Sequence, residues 1–238
     1  MLIQQYRSNR NILIVVIALL FSLNSCQEET PEPISILEED VVLAIEGAIL
    51  PNSGGLISQI NATALQGLTA ADLGCDVLND SSLNEVINSR NSYSYTWTLE
   101  NECDLEDKPF ELTSILDGNR RYLTNDLSAN EKIETSIYLS GLSNLENEFT
   151  INLITDIEGS YRASNDILDG YVGKISFVGI DIIVDGESQE ISSGTANFVF
   201  SGASISGRFF NYEGVLTFEG NESASIAFTN GGNYSLNW

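Results

Sequence analysis

The chain has 238 residues, with 34 acidic and 10 basic side chains, no histidine and a formal charge of −24. A surface this negative argues against nucleic acid and anionic lipid headgroups as partners. The lack of histidine removes Ser-His-Asp and Cys-His hydrolysis, imidazole zinc sites and the commonest general base at neutral pH.

Arg7 and Arg10 precede a run of apolar residues from Ile12 to Leu23, a positive segment followed by a hydrophobic one of secretory length. The run is short of the roughly 20 apolar residues that a membrane-spanning helix needs. It ends in Leu23-Asn24-Ser25-Cys26. Together these residues resemble the signal of a bacterial lipoprotein, in which the Cys of a lipobox is lipidated after cleavage just before it. The resemblance implies a signal peptide over 1–25, a lipid on Cys26 and an acidic linker over 26–34. Residues 35–238 are then left as one domain. Gln27-Glu28-Glu29 is similar to the export signal that sends lipoproteins of Bacteroidota to the outer face of the outer membrane. It implies a surface-exposed protein, with a periplasm-facing one as second choice. Losing Arg7 and Arg10 leaves eight basic against 34 acidic residues, a charge of −26. With Cys26 lipidated, Cys75 and Cys103 remain as an even pair in an oxidising compartment, where a disulfide is the default.

Ser35-Ile36-Leu37-Glu38 has the capping-box pattern, with Ser35 as the cap and Glu38 reaching back. Glu38, Glu39 and Asp40 suit a first helical turn. Val41, Val42, Ile45, Ala48 and Ile49 follow at helical spacing until Pro51 and Gly54-Gly55. A second helix is expected from Leu56 to about Leu65. From Ser92 the period becomes two, as in a strand with one apolar face: Tyr93, Tyr95 and Trp97 alternate with Ser94, Thr96 and Thr98. Similar alternation returns at Phe149 to Leu153, Phe198 to Phe200, Phe210 to Phe218, Ala224 to Phe228 and Tyr234 to Trp238. Asp117-Gly118, Asp185-Gly186, Asn230-Gly231 and Gly220-Asn221 read as tight turns. The expected fold is α+β, mainly β: an N-terminal helical segment packed on a curved antiparallel meander of nine or ten strands, closing as a barrel, half-barrel or sandwich. The stretch from Gly214 to Tyr234, and Gly54-Gly55-Leu56 after an acidic helix, are similar to a group of uncharacterised Bacteroidota lipoproteins, which implies compartment and architecture but no mechanism.

No catalytic motif and no cofactor is expected. Calcium is the ion with a case, since hard cations want carboxylates and carbonyls from a tight turn. The clusters are Asp76 with Asn79 and Asp80, Asp104 with Glu106 and Asp107, and Asp166 with Asp169; none follows an alternating Asp-x-Asp-x-Asp-Gly loop. Tyr93, Tyr95 and Trp97 share one strand face and either stack on a glycan or fill the core, the commoner fate of such a face. Three functional readings follow. The first is a binding module for a glycan or lipid, with an open concave pocket. The second is a non-catalytic envelope component that contacts another protein, and the third is a glycosidase using two of the many carboxylates.

Overall fold

In the computed structural model, which describes residues 36–70, 74–75, 78–86, 90–142, 148–163 and 170–238, with backbone only at 83–85, Ser35–Trp238 form one compact unit. Helix α1 (Glu38–Ile49), a 3-10 turn (Pro51–Ser53) and helix α2 (Leu56–Leu68) come first. Ten strands follow: β1 (Leu78–Val86), β2 (Ser92–Cys103), β3 (Pro109–Leu123), β4 (Leu127–Ser140), β5 (Glu148–Ala163), β6 (Tyr171–Asp185), β7 (Ile191–Ser204), β8 (Phe209–Gly220), β9 (Ser223–Phe228) and β10 (Asn233–Asn237). They form a single sheet in sequence order, each strand antiparallel to the next. Among the described residues β1 and β10 do not pair, so the sheet is neither a closed barrel nor a two-sheet sandwich.

The helices explain its curvature. The start of α1 touches β8 and β10, where Tyr212 donates to the Ile36 carbonyl and Tyr234 to the Glu38 carboxylate. Nine residues later, the Gly47 carbonyl accepts from Arg120 on β3. Those nine residues rise about 14 Å, whereas β3 and β10 would lie about 33 Å apart in a flat sheet. The sheet must therefore curl around α1. Consistently, α1 buries Val41, Val42, Ala44, Ile45, Gly47, Ala48 and Ile49, more than one face of the helix. Helix α2 presents a narrower stripe, Leu56, Ile57, Ile60, Ala64 and Gly67 among it.

Two local expectations are corrected. Ser35 lies outside the described residues, and Leu37 occupies the position before α1 with no side-chain cap. The Glu38 carboxylate turns instead to β10 and the turn before it, accepting from the Gly232 amide at 2.7 Å and the Tyr234 hydroxyl at 2.8 Å. Asp117-Gly118 is not a turn but lies within β3. Gly118 stands beneath the Tyr95 ring, where an added Cβ would come within 2.2 Å of the ring. Gly173 under Phe200 and Gly214 under Phe198 repeat the device, at 2.7 and 2.6 Å, so aromatic rings occupy the space that glycine leaves on the neighbouring strand. The other three turn dipeptides do join strands, and Gly220 and Asn221 both take positive φ, 74° and 51°.

Candidate functional site

Strand β2 points Tyr93, Tyr95 and Trp97 toward the helices, leaving them 7, 2 and 9 % exposed. Tyr93 and Tyr95 stack at 5.1 Å. The Tyr93 ring lies against Gly54, whose φ of +72° ends the 3-10 turn, and the Tyr95 hydroxyl donates to the Gly54 carbonyl. The three rings belong to the core, and Tyr93 and Trp97 also border concavities at the surface.

The same interior carries the polar side chains that no alternating apolar pattern announces. Arg120 on β3 and Glu131 on β4 stand opposite each other, both side chains fully buried. Arg120 donates through Nε to Glu131 at 2.6 Å and through Nη1 to the Gly47 carbonyl at 2.7 Å. Ser53 donates to that carbonyl as well, at 2.6 Å. A carbonyl in the last turn of α1 has no partner within the helix, and a cation there also meets the negative end of the helix dipole. Burial opposes the Arg120 charge, yet Glu131, Tyr95 and Tyr122 more than offset it and hold the guanidinium protonated. Thr135 on β4 donates to Gln59 of α2 at 2.8 Å.

Five tyrosines from five strands grip the helical segment through their hydroxyls. Tyr95 and Tyr212 act as described, Tyr122 donates to the Leu43 carbonyl at 3.2 Å, Tyr171 to the Asp40 carbonyl at 3.2 Å, and Tyr234 to Glu38. Burial pushes the ionisation of Tyr95, Tyr122, Tyr161 and Tyr171 above the ordinary value of 10.0. The fold thus prefers the neutral phenol. That stabilisation is complete below the unfolded-state value and is lost as pH rises through the folded-state values. The chain is expected to resist titration to about pH 10 and then to unfold cooperatively, with tyrosinate absorbance and loss of β-sheet circular dichroism rising together. Ionisation of these four buried tyrosines near pH 10 while the sheet signal stays intact would contradict this.

Cys75 and Cys103 form a disulfide, with Cα atoms 5.6 Å apart. Of the acidic clusters, Asp76, Asp166 and Asp169 lie outside the described residues, as does Cys26, the residue expected to carry lipid. Asp80 accepts from Thr98 at 2.9 Å. Asp104 accepts the amides of Glu106 and Lys108 at 2.8 and 3.0 Å, bonds that hold its carboxyl below the usual range, while Glu106 pairs with Lys108 at 2.7 Å. Asp104 and Glu106 thus stabilise their own turn, and Asp80 ties β1 to β2. Among the described residues no group of three metal-ligating side chains could hold an ion.

On the outer face, Ile115, Ile154, Val178 and Val215 fall in one line across β3 to β8, with Ser136 and Asn197 between them, and all four apolar side chains are exposed. Nearer the end where β2 begins, a shallow concavity of about 620 Å³ is lined by Ser92, Ser94, Asn119, Arg121 and Asn130, together with Val86, Tyr93, Arg120 and Glu131. Sequence reading singled out neither feature. The one signal for the second is Arg120-Arg121, the sole pair of adjacent basic residues in the chain.

No protein-family model matches this chain, and no curated protein or solved structure shows significant similarity to it.

Proposed function

We propose that the chain is an exported, lipid-anchored protein of the outer membrane, exposed at the cell surface, and that it acts without catalysis as a binding or envelope component through its outer surface. The observation that carries this reading is the filling of the concave face. Helices α1 and α2 occupy it and are fixed there by Arg120, Gln59 and the tyrosines, so recognition falls to the outer face, the ends and the edges of the sheet. The exposed Ile154 and Val178, abreast on β5 and β6, with Ile115 and Val215 beyond Ser136 and Asn197, support contact with another envelope protein, since exposed apolar patches mark such sites. The anchor rests on the Leu23-to-Cys26 motif and on the acidic, proline-punctuated stretch from Gln27 to Pro33, which suits a solvated tether.

Cys26→Ala is expected to move the protein from the membrane to the soluble fraction and to abolish metabolic labelling by palmitate. Protease added to intact cells should degrade the anchored wild type. Labelling that survives the substitution would refute lipidation at Cys26, and complete resistance of the wild type in intact cells would place it on the periplasmic side.

A further inference from the structure

Cations are scarce in this chain, and each lysine has found an acid: Lys108 with Glu106, Lys132 with Glu134 and Lys174 with Asp156. Arg120 has Glu131. Arg121, like Arg162 and Arg208, is in no such pair among the described residues. Strand period two turns it outward, and it is exposed with no ion pair to any described residue. Its surroundings follow from the register. Directly abreast are Ser92 on β2 and Asn130 on β4, and one step along are Ser94, Asn119 and Lys132. On the other side are Leu123 and Ser128. None of these is acidic, although acids outnumber bases more than threefold in the chain. Among the described residues the one carboxylate bordering the concavity, Glu131, is turned to the core and held by Arg120.

We propose that this concavity is a binding site for an anionic saccharide, whose carboxylate or phosphate docks on the Arg121 guanidinium. A planar guanidinium fork takes such an oxyanion through two parallel N–H bonds. The flanking Asn119, Asn130 and Ser92 supply both donors and acceptors, the complement that sugar hydroxyls require. A volume near 620 Å³ suits one to three sugar rings. The overall charge of −24 repels anions at long range, but screening beyond roughly 8 Å at physiological ionic strength leaves the hydroxyls and amides around Arg121 to decide. The site goes beyond the anchored-protein reading and does not depend on it, because ligand binding by full-length protein in detergent is blind to where the chain is anchored.

The test is titration of full-length protein with trigalacturonate, glucose 6-phosphate and neutral maltotriose, followed by amide chemical shifts or calorimetry. At least one anionic probe is expected to bind about tenfold or more tightly than maltotriose, and less tightly as salt is raised; which one binds distinguishes a carboxylate from a phosphate source. Arg121→Gln should remove that preference. Arg208→Gln, which deletes the same charge in the turn between β7 and β8, should leave it unchanged. Equal affinity for maltotriose, no binding of either anionic probe, or equal losses in the two variants would each overturn the proposal.

Discussion

Replacing Arg120 with alanine is expected to lower the unfolding free energy by about 3–5 kcal/mol, because it strands the Glu131 carboxylate in the core without its counter-charge. In a domain of this size that corresponds to a fall in melting temperature of roughly 6–20 °C. Two losses add to the stranded charge: the Gly47 carbonyl at the end of α1 keeps only Ser53, and Tyr122 loses the guanidinium that lies 5.4 Å from its ring centre. Arg120→Lys should recover little, since a single ammonium cannot reach both Glu131 and Gly47 with the geometry of the fork. The double variant Arg120→Met, Glu131→Leu should recover most of the loss, because it removes both charges from the core. About 1 kcal/mol should remain missing for the lost bond to Gly47. Denaturant unfolding of the three variants checks this, and an Arg120→Ala protein within 1 kcal/mol of wild type would show that the pair is solvated or dispensable.

The second large effect is expected from Cys75→Ser. The bond closes a separation of 28 residues that contains all of β1, and in the chain-entropy model such a crosslink stabilises the fold by about 3–4 kcal/mol. It works beside Asn101, which is fully buried and donates from β2 to the Ala70 and Gly74 carbonyls, tying the connection after α2 to the same strand. Asn101→Ala in the oxidised protein should therefore cost less than in the Cys75→Ser background, where the crosslink no longer shares that task. Peptide mapping of the denatured wild type should find Cys75 and Cys103 joined; recovering both as free thiols would remove the crosslink from the account.

Much of the architecture is legible in the chain because its periodicities are clean. Tyr93, Tyr95 and Trp97, or Phe210, Leu216 and Phe218, can satisfy their spacing only as one face of a strand. The short turns at Asp185-Gly186 and Asn230-Gly231 leave an antiparallel neighbour as the only partner within reach. Strands β3 and β4 were harder to see, since Ser114, Arg120, Glu131 and Thr135 are polar residues at inward positions and interrupt the alternation. Those residues face the helices, and their partners lie 11 to 76 positions away in sequence. Gly118 misled for a related reason: a glycine beside an aspartate reads as a turn unless the ring filling its place, from a strand about 20 residues upstream, is known.

Arg120 and Arg121 bring the division to a single point. Sequence by itself determined that two arginines stand side by side in a strongly acidic chain, and that a strand through them would send one to each face. Only the tertiary structure decided what each face meets. Inside, the curl of the sheet sets Arg120 between Glu131 and the end of α1, where low dielectric makes either charge costly without the other. Outside, the register of β2, β3 and β4 surrounds Arg121 with hydroxyls and amides in place of acids. Register and curvature are sums over many distant pairings, and so they are settled by how the whole sheet packs around its helices.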